Sequence, residues 1–542
     1  MVTQCPLPAG EDFHYQFEGN QGQGVLAQFN NAPAGSYWYH SHVGNQRLNG
    51  ASGKLIVMPR KAEAEVVDRP ENSLFLQEWY KKRTESEHPH SLLVNGKGKL
   101  LKNCSYAPTL NNGETVEEFM TRYFMGRSVF FHEVCDGHNR DPRAKYEIFN
   151  ITEKDVGKAF RFRLISGIGQ EINMRVSIED HSFTAIATDA IDIQKTGPLD
   201  AVWLAAGERY DILVKTKTKE EIENHPSAYK INIYHSYSHN PNTTFELCSI
   251  AWLRYAGQTV DETFEANCKS MREENFRNPV LNPTPNNYRR WNSPKAIYPK
   301  DLKAKSQAPS IKQVLNTHYV NMSCGKKWCN FNNYQMPFPA AQTFSSVASS
   351  GYQEVPFLFQ SPSNQDNRCG AICTNTTCRH QGPQELSNCS HILQQPDDKG
   401  HWFEVVLINN NTDGGIAHPI HQHGGWYNVI GQGQYPPTIK ITQELIIKKD
   451  TECGEFRREG RRCLPRNFDY PVFKDSVQIP TNGYVIIRTP LDNPGTWIVH
   501  CHINYHVEHG MAMVFQFGEP KGWAMGSSQK VAQTNKDKRC FK

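Results

Sequence analysis

Short runs in which apolar and polar residues alternate recur along the chain. "FRFRLI" (160–165) and "VFQFG" (514–518) show the period of two that marks strands with one buried face. Such runs fall into three blocks. The first holds "GVLAQF", "GSYWYHSH" and "GKLIVMP" and ends near Pro59. The second holds "NSLFLQEWY", "KAFRFRLI", "HSFTAIATD" and "GERYDILVKT" and runs to about Tyr255. The third holds "HWFEVVLIN", "GWYNVIGQG", "GYVIIRTP" and "GMAMVFQFG". Helical periodicity is scarce and Gly and Pro are spread throughout, so the pattern predicts an all-β protein with many turns. A polar stretch rich in Asn, Pro, Lys and Arg, about 256–310, reads as a linker. Within the third block, about 321–391 reads as a loop-like insertion with six cysteines. Its "CGAICTNTTC" lacks the paired C-x-x-C spacing of a zinc site, so a disulfide-stapled surface loop is expected.

The length of 542 residues suits about three domains. A net charge of +4 and the lack of a long Lys/Arg run argue against nucleic-acid binding. No apolar run is long enough for a membrane span. Fifteen cysteines suit an oxidising compartment. The count is odd, which leaves one outside any disulfide, and Cys501 is the candidate. Sequons at Asn103, Asn150, Asn242, Asn321, Asn375, Asn388 and Asn410 support a secreted glycoprotein.

Three histidine groups change the picture. His40 and His42 lie at i and i+2, on one side of a strand. His418, His421 and His423 fall within "HPIHQHG", expected as an irregular strand end that points its rings in different directions. The third group is His500, Cys501, His502 and His506, followed by Met511. A thiolate, imidazoles and a weak thioether form the ligand set of a blue-copper site. His500 and His502 flank Cys501 and point away from its side of the strand, so they should serve a second metal centre on the other face. Zinc rarely takes one thiolate with an axial-type Met, and iron–sulfur clusters need several cysteines, so copper fits best.

On "YWYHSH", "HPIHQHG" and "DNPGTWIVHCHINYHVEHGM", the chain resembles the multicopper oxidases, and within them the laccases of animals. "VTQCPLPAG", "SIEDHSFTAIATD", "GERYDILV" and "KDSVQIP" extend the likeness through most of the chain. The resemblance implies three cupredoxin-like, Greek-key β-sandwich domains: 1–62 as the remnant of a truncated first domain, 63–255 as the second, 256–310 as the linker and 311–542 as the third. It implies that His418, Cys501 and His506 hold a type 1 copper with Met511 axial. His421 would bind type 2 copper, and His40, His42, His423, His500 and His502 the type 3 pair. Electrons would pass from Cys501 to His500 and His502. The implied activity is that of a laccase: one-electron oxidation of phenols and diphenols coupled to four-electron reduction of O2 to water. His418 or His506 would be the electron entry, and Glu179 of "SIEDH" would face the substrate. A ferrous- or cuprous-ion oxidase and a non-catalytic copper-binding paralogue are the alternatives.

The pattern departs from the family in two places. The family carries four copper motifs, and this chain shows three. Met1 stands almost directly before "TQCP", and His14 has no second histidine at i+2. The expectation is an N-terminally incomplete chain with an incomplete type 2/type 3 ligand set. Asn504 also stands where laccases commonly have a carboxylate, and an amide cannot deliver protons in that range.

Overall fold

The computed structural model describes residues 34–518 with interruptions, the longest at 60–65, 81–88, 101–142, 284–295, 306–313, 336–367, 411–416 and 447–465. "GVLAQF", "VTQCPLPAG" and His14 lie outside the described residues. Among the described residues the architecture is β, with few and short helices. No helix among the described residues is long and apolar enough to cross a membrane.

Of the first block, Gly35–His40 and Ser52–Val57 pair antiparallel as a two-stranded sheet, with His40 opposite Ser52. The second block folds as a six-stranded and a seven-stranded sheet. Alternation explains why they pack. In Ala159–Ser166, Phe160, Phe162 and Leu164 are buried on one face with Leu74, Leu76, Tyr210, Ile212 and Val214 in the same core. Each such side chain contributes about 1.5–3 kcal/mol by leaving water. Arg161 and Arg163 point to the other face, where both meet Asp68 and Asp211.

Two expectations need correction here. Residues 256–310 are not simply a linker. Val280–Leu281 pairs in parallel with Ala201–Leu204, and Ala296–Ile297 pairs with Val280–Leu281, so both extend the seven-stranded sheet. The short helix Cys268–Arg272 is tied to Thr243–Tyr255 by the Cys248–Cys268 disulfide. Two-residue strands carry no readable period, and for that reason the polar flanks dominated the sequence pattern. The cysteine-rich insertion is likewise not all loop. Arg368–Cys373 pairs with Ser390–Gln395, which pairs with Ala512–Phe517. Ala371 and Cys373 are buried there, and Cys373 is disulfide-bonded.

The third block forms an eight-stranded and a seven-stranded sheet. In the latter, His418–Gln422 lies between Ser476–Ile479 and Gly495–Cys501. "HPIHQ" is therefore a regular, central strand, not an irregular end. The Pro419 carbonyl accepts the His502 amide at 2.7 Å and ties this strand to the turn after Cys501. Gly495–Cys501 ends at the cysteine, and a turn leads into the helix Asn504–Glu508.

Candidate metal centre

Strand register sorts the donors. Ile420 stands opposite Cys501, and His421 opposite His500. Directly opposed residues share a face and neighbours alternate. Cys501 and His418 therefore fall on one face, and His421, His500 and His502 on the other, as the alternation in sequence requires.

On the first face, the helical turn of Asn504–Glu508 returns His506 to the cysteine. Cys501 Sγ is 3.4 Å from His506 Nδ1 and 3.8 Å from His418 Nδ1, and the two nitrogens are 3.1 Å apart. Metal–ligand bonds of about 2.0–2.3 Å in a trigonal plane place donors roughly 3.5 Å apart, so the three atoms can share one ion. Met511 is fully buried and is held beside them through its backbone: its N–H donates to His506 O and its carbonyl accepts from Cys501, each at 3.0 Å. Cys501 is a buried free thiol, as its odd place in the cysteine count implied. Burial, then the His506 charge, pushes the His418 pKa well below the ordinary value. A neutral ring has no proton to lose on binding a metal.

The second face gathers six imidazoles. His42, His423 and His500 can place one ligand atom each within 4.8 Å of the others, and His42 Nε2 is 3.2 Å from His423 Nε2. His40 stacks on His42 at 4.3 Å between ring centroids and meets His502 edge-on at 5.1 Å. His421 lies 4.9 Å from His423, 5.7 Å from His500 and 5.4 Å from His502. Gly35–His40 and the turn after it thus complete a cluster otherwise built from the third block. Burial lowers the pKa of His40, His42, His423, His500 and His502, and neighbouring cations lower it further.

Hydrogen bonds at Nδ1 orient four of the six rings, three of them as a metal would require. Nδ1 of His40, His421 and His500 lies 3.0, 2.8 and 2.8 Å from the carbonyls of Ser41, Asp475 and Cys501. An Nδ1–H donated to a carbonyl leaves Nε2 for a metal. His502 differs. Arg47 donates to its Nδ1 at 2.7 Å and to its carbonyl at 2.8 Å. A guanidinium only donates, so the neutral ring carries its proton on Nε2. His502 can ligate through that atom only by giving up the proton or the Arg47 bond.

Several residues of this site carry no signal in the sequence. Arg47 is buried and reads as an ordinary surface arginine. Gly207 has φ +82°, and a Cβ there would lie 2.5 Å from the His502 ring. Asp475 is buried behind His421; burial opposes its ionisation, but Arg209 and then His421 outweigh this and hold its carboxyl well below the carboxylate range.

Glu179 is placed elsewhere. Its carboxylate accepts from Lys230 Nζ at 2.5 Å and from Lys230 N at 3.0 Å, and from neither His418 nor His506. It follows the strand Met174–Ile178, at the opposite end from Asn173, whose side chain meets Gln478 of the third block at 3.1 Å. Six residues of strand span roughly 20 Å. In this structure Glu179 sits in a domain-internal ion pair.

Comparisons with known proteins give the family. Family models described as multicopper oxidase match residues 1–62, 70–258 and 355–521. The chain is 23% identical over 520 residues to the iron transport multicopper oxidase FET5 of Saccharomyces cerevisiae, covering 95% of this chain and 66% of that protein. It is 24% identical over 517 residues to Laccase-2 of Botryotinia fuckeliana, covering 95% and 69%. The chain thus spans about two thirds of the length of these relatives. Among solved structures, Fet3p, a multicopper oxidase that functions in iron import, superposes with a TM-score of 0.53 at 16% identity, covering 94% of this chain and 76% of that one. The laccase from Botrytis aclada gives 0.54 at 17%, covering 94% and 75%. The sandwiches are cupredoxin-like, and the family's cofactor is copper in type 1, type 2 and type 3 sites. The chain belongs to the multicopper oxidases.

Proposed function

We propose that the chain serves a laccase-like oxidase, which takes electrons singly from a small phenol or diphenol and passes them to O2. Copper, when bound, supplies the one-electron redox chemistry and the reduction of O2. His418, Cys501 and His506 would hold the type 1 ion, with Met511 axial. His42, His423 and His500 would hold one type 3 ion, His40 and His502 would serve its partner, and His421 the type 2 ion. The single observation that carries the reading is the two donor groups on opposite faces of one strand pair, joined through Cys501 and its neighbours. The peptide bonds from Cys501 to His500 and His502 make the connection covalent and short.

A metal-ion oxidase is the second reading, because the relatives include iron-transport enzymes as well as laccases. The likeness to laccases supports the organic electron donor, and the assay below separates it from a metal ion. The Cys248–Cys268 disulfide and the sequons support a secreted protein.

Steady-state O2 uptake by the copper-loaded protein separates the readings. The expected result is a higher kcat/KM with a p-diphenol than with ferrous ion. A preference for ferrous ion would overturn the substrate assignment. A blue band that never feeds electrons to O2 would leave a copper-binding paralogue.

A further inference from the structure

Directly behind His421, segments of all three blocks meet in a buried ionic junction. Arg209 forks onto Asp475 with Nη1–Oδ1 at 2.6 Å and Nη2–Oδ2 at 2.7 Å. Arg209 Nε donates to the carbonyl of Ser36, in the strand that ends at His40. The backbone N–H groups of Asp475 and Ser476 both donate to Asp189 Oδ2 at 3.1 Å. Lys474 is fully buried, ion-pairs with Asp189 at 3.1 Å and Glu208 at 3.5 Å, and donates to Thr188 at 2.7 Å. Asp189 and Ala190 have φ of +46° and +69°, a conformation that non-glycine residues adopt only where the surroundings enforce it.

The junction ends on a metal-type ligand. The Asp475 carbonyl accepts from His421 Nδ1 at 2.8 Å, and its Oδ1 lies 3.5 Å from the same nitrogen. Ser476 Oγ is 3.1 Å from that nitrogen as well. The backbone at 474–476 is thus gripped by the middle domain, and its carbonyl sets the His421 ring. Buried ion pairs are weak stabilisers compared with apolar packing of similar volume. A network this extensive is better explained by what it orients.

We propose that Arg209 and Asp475 are a positioning pair, through which the middle domain fixes His421 for its metal although it contributes no side chain to either donor group. The inference rests on the copper reading above. The Arg209 fork fixes the Asp475 main chain, which holds Nδ1–H of His421 and turns Nε2 toward the other imidazoles. Second-layer partners of metal-bound histidines typically matter by 10–100-fold in affinity.

The test uses the full chain and two variants, Arg209→Lys and Asp475→Asn. The first keeps the charge and removes the fork. The second keeps shape and carbonyl, and covers the case in which the first fails to fold. Cu(II) titration followed by EPR reads the imidazole-only copper, and the thiolate absorption of Cys501 is the internal control. The expected result is a thiolate band at parental strength, with affinity for the imidazole-only copper down about 10–100-fold and its hyperfine splitting changed. In the metal-free protein, 15N-histidine NMR should show the His421 Nδ1–H tautomer in the parent and a mixture in the variants. Parental EPR, affinity and tautomer in either folded variant would overturn the pairing. Absence of a thiolate band in the parent would instead overturn the copper assignment, so the two failures are distinguishable.

Discussion

The two faces of the strand pair His418–Gln422 and Gly495–Cys501 are built on different terms. On the thiolate face Cys501, His418, His506 and Met511 are sealed from water, and Ile420, Ile503 and Met513 are buried in the same part of the core. Three of the four donors come from eleven consecutive residues. On the imidazole face His40, His42, His421 and His423 keep partial exposure, and the rings are oriented by polar partners drawn from distant segments. Arg47 holds His502, Asp475 holds His421, and Gly207 backs His502. A local motif in an apolar shell should be insensitive to distant charge changes. A cluster set by long-range polar contacts should not be.

The largest expected separation of the faces comes from Gly207→Ala. A Cβ there meets the His502 ring at 2.5 Å, and the left-handed φ of +82° adds strain. Copper bound by imidazoles alone should fall at least tenfold in affinity, while the thiolate band persists; parallel loss of both signals would break the comparison. Ile420→Ala works from the other side. It opens a cavity opposite Cys501 and should cost about 2–5 kcal/mol in denaturant unfolding. It should shift the thiolate band and leave the imidazole EPR signal in place.

The smallest effect on the copper signals is expected at a residue of the middle domain outside both donor groups. His235 is buried in the middle domain, where its ring contacts the Asn173 carbonyl at 3.1 Å, and burial lowers its pKa to about 4. Below pH 6.5 the unfolded chain takes up a proton that the folded ring refuses, so stability is full above that value and falls as pH drops toward 4. The term amounts to roughly 3 kcal/mol across that window. His235→Gln should flatten the slope in urea melts between pH 6.5 and 4 without changing either copper signal. An unchanged slope would sink the assignment of the term to this ring.

Much of the thiolate face was legible in sequence, because Cys501, His506 and Met511 are close in the chain and alternation puts His500 and His502 opposite. The all-β class was legible for the same reason, in runs such as "FRFRLI". The supporting layer was not. Arg47, Arg209, Lys474 and Asp475 look like ordinary surface charges until tertiary pairing buries them. The strands Val280–Leu281 and Ala296–Ile297 are too short to show a period and exist only because a sheet edge accepts them.

If one strand pair holds two separable copper centres joined at Cys501, replacing that cysteine should remove one centre and spare the other. Copper-loaded Cys501→Ser, compared with the parent by optical absorption and EPR on the same samples, tests it most directly. Complete loss of the thiolate band is expected, with retention of the imidazole-only EPR signal and no transfer of electrons from a diphenol to O2. Loss of both signals together, or a thiolate band that survives without Cys501, would contradict it.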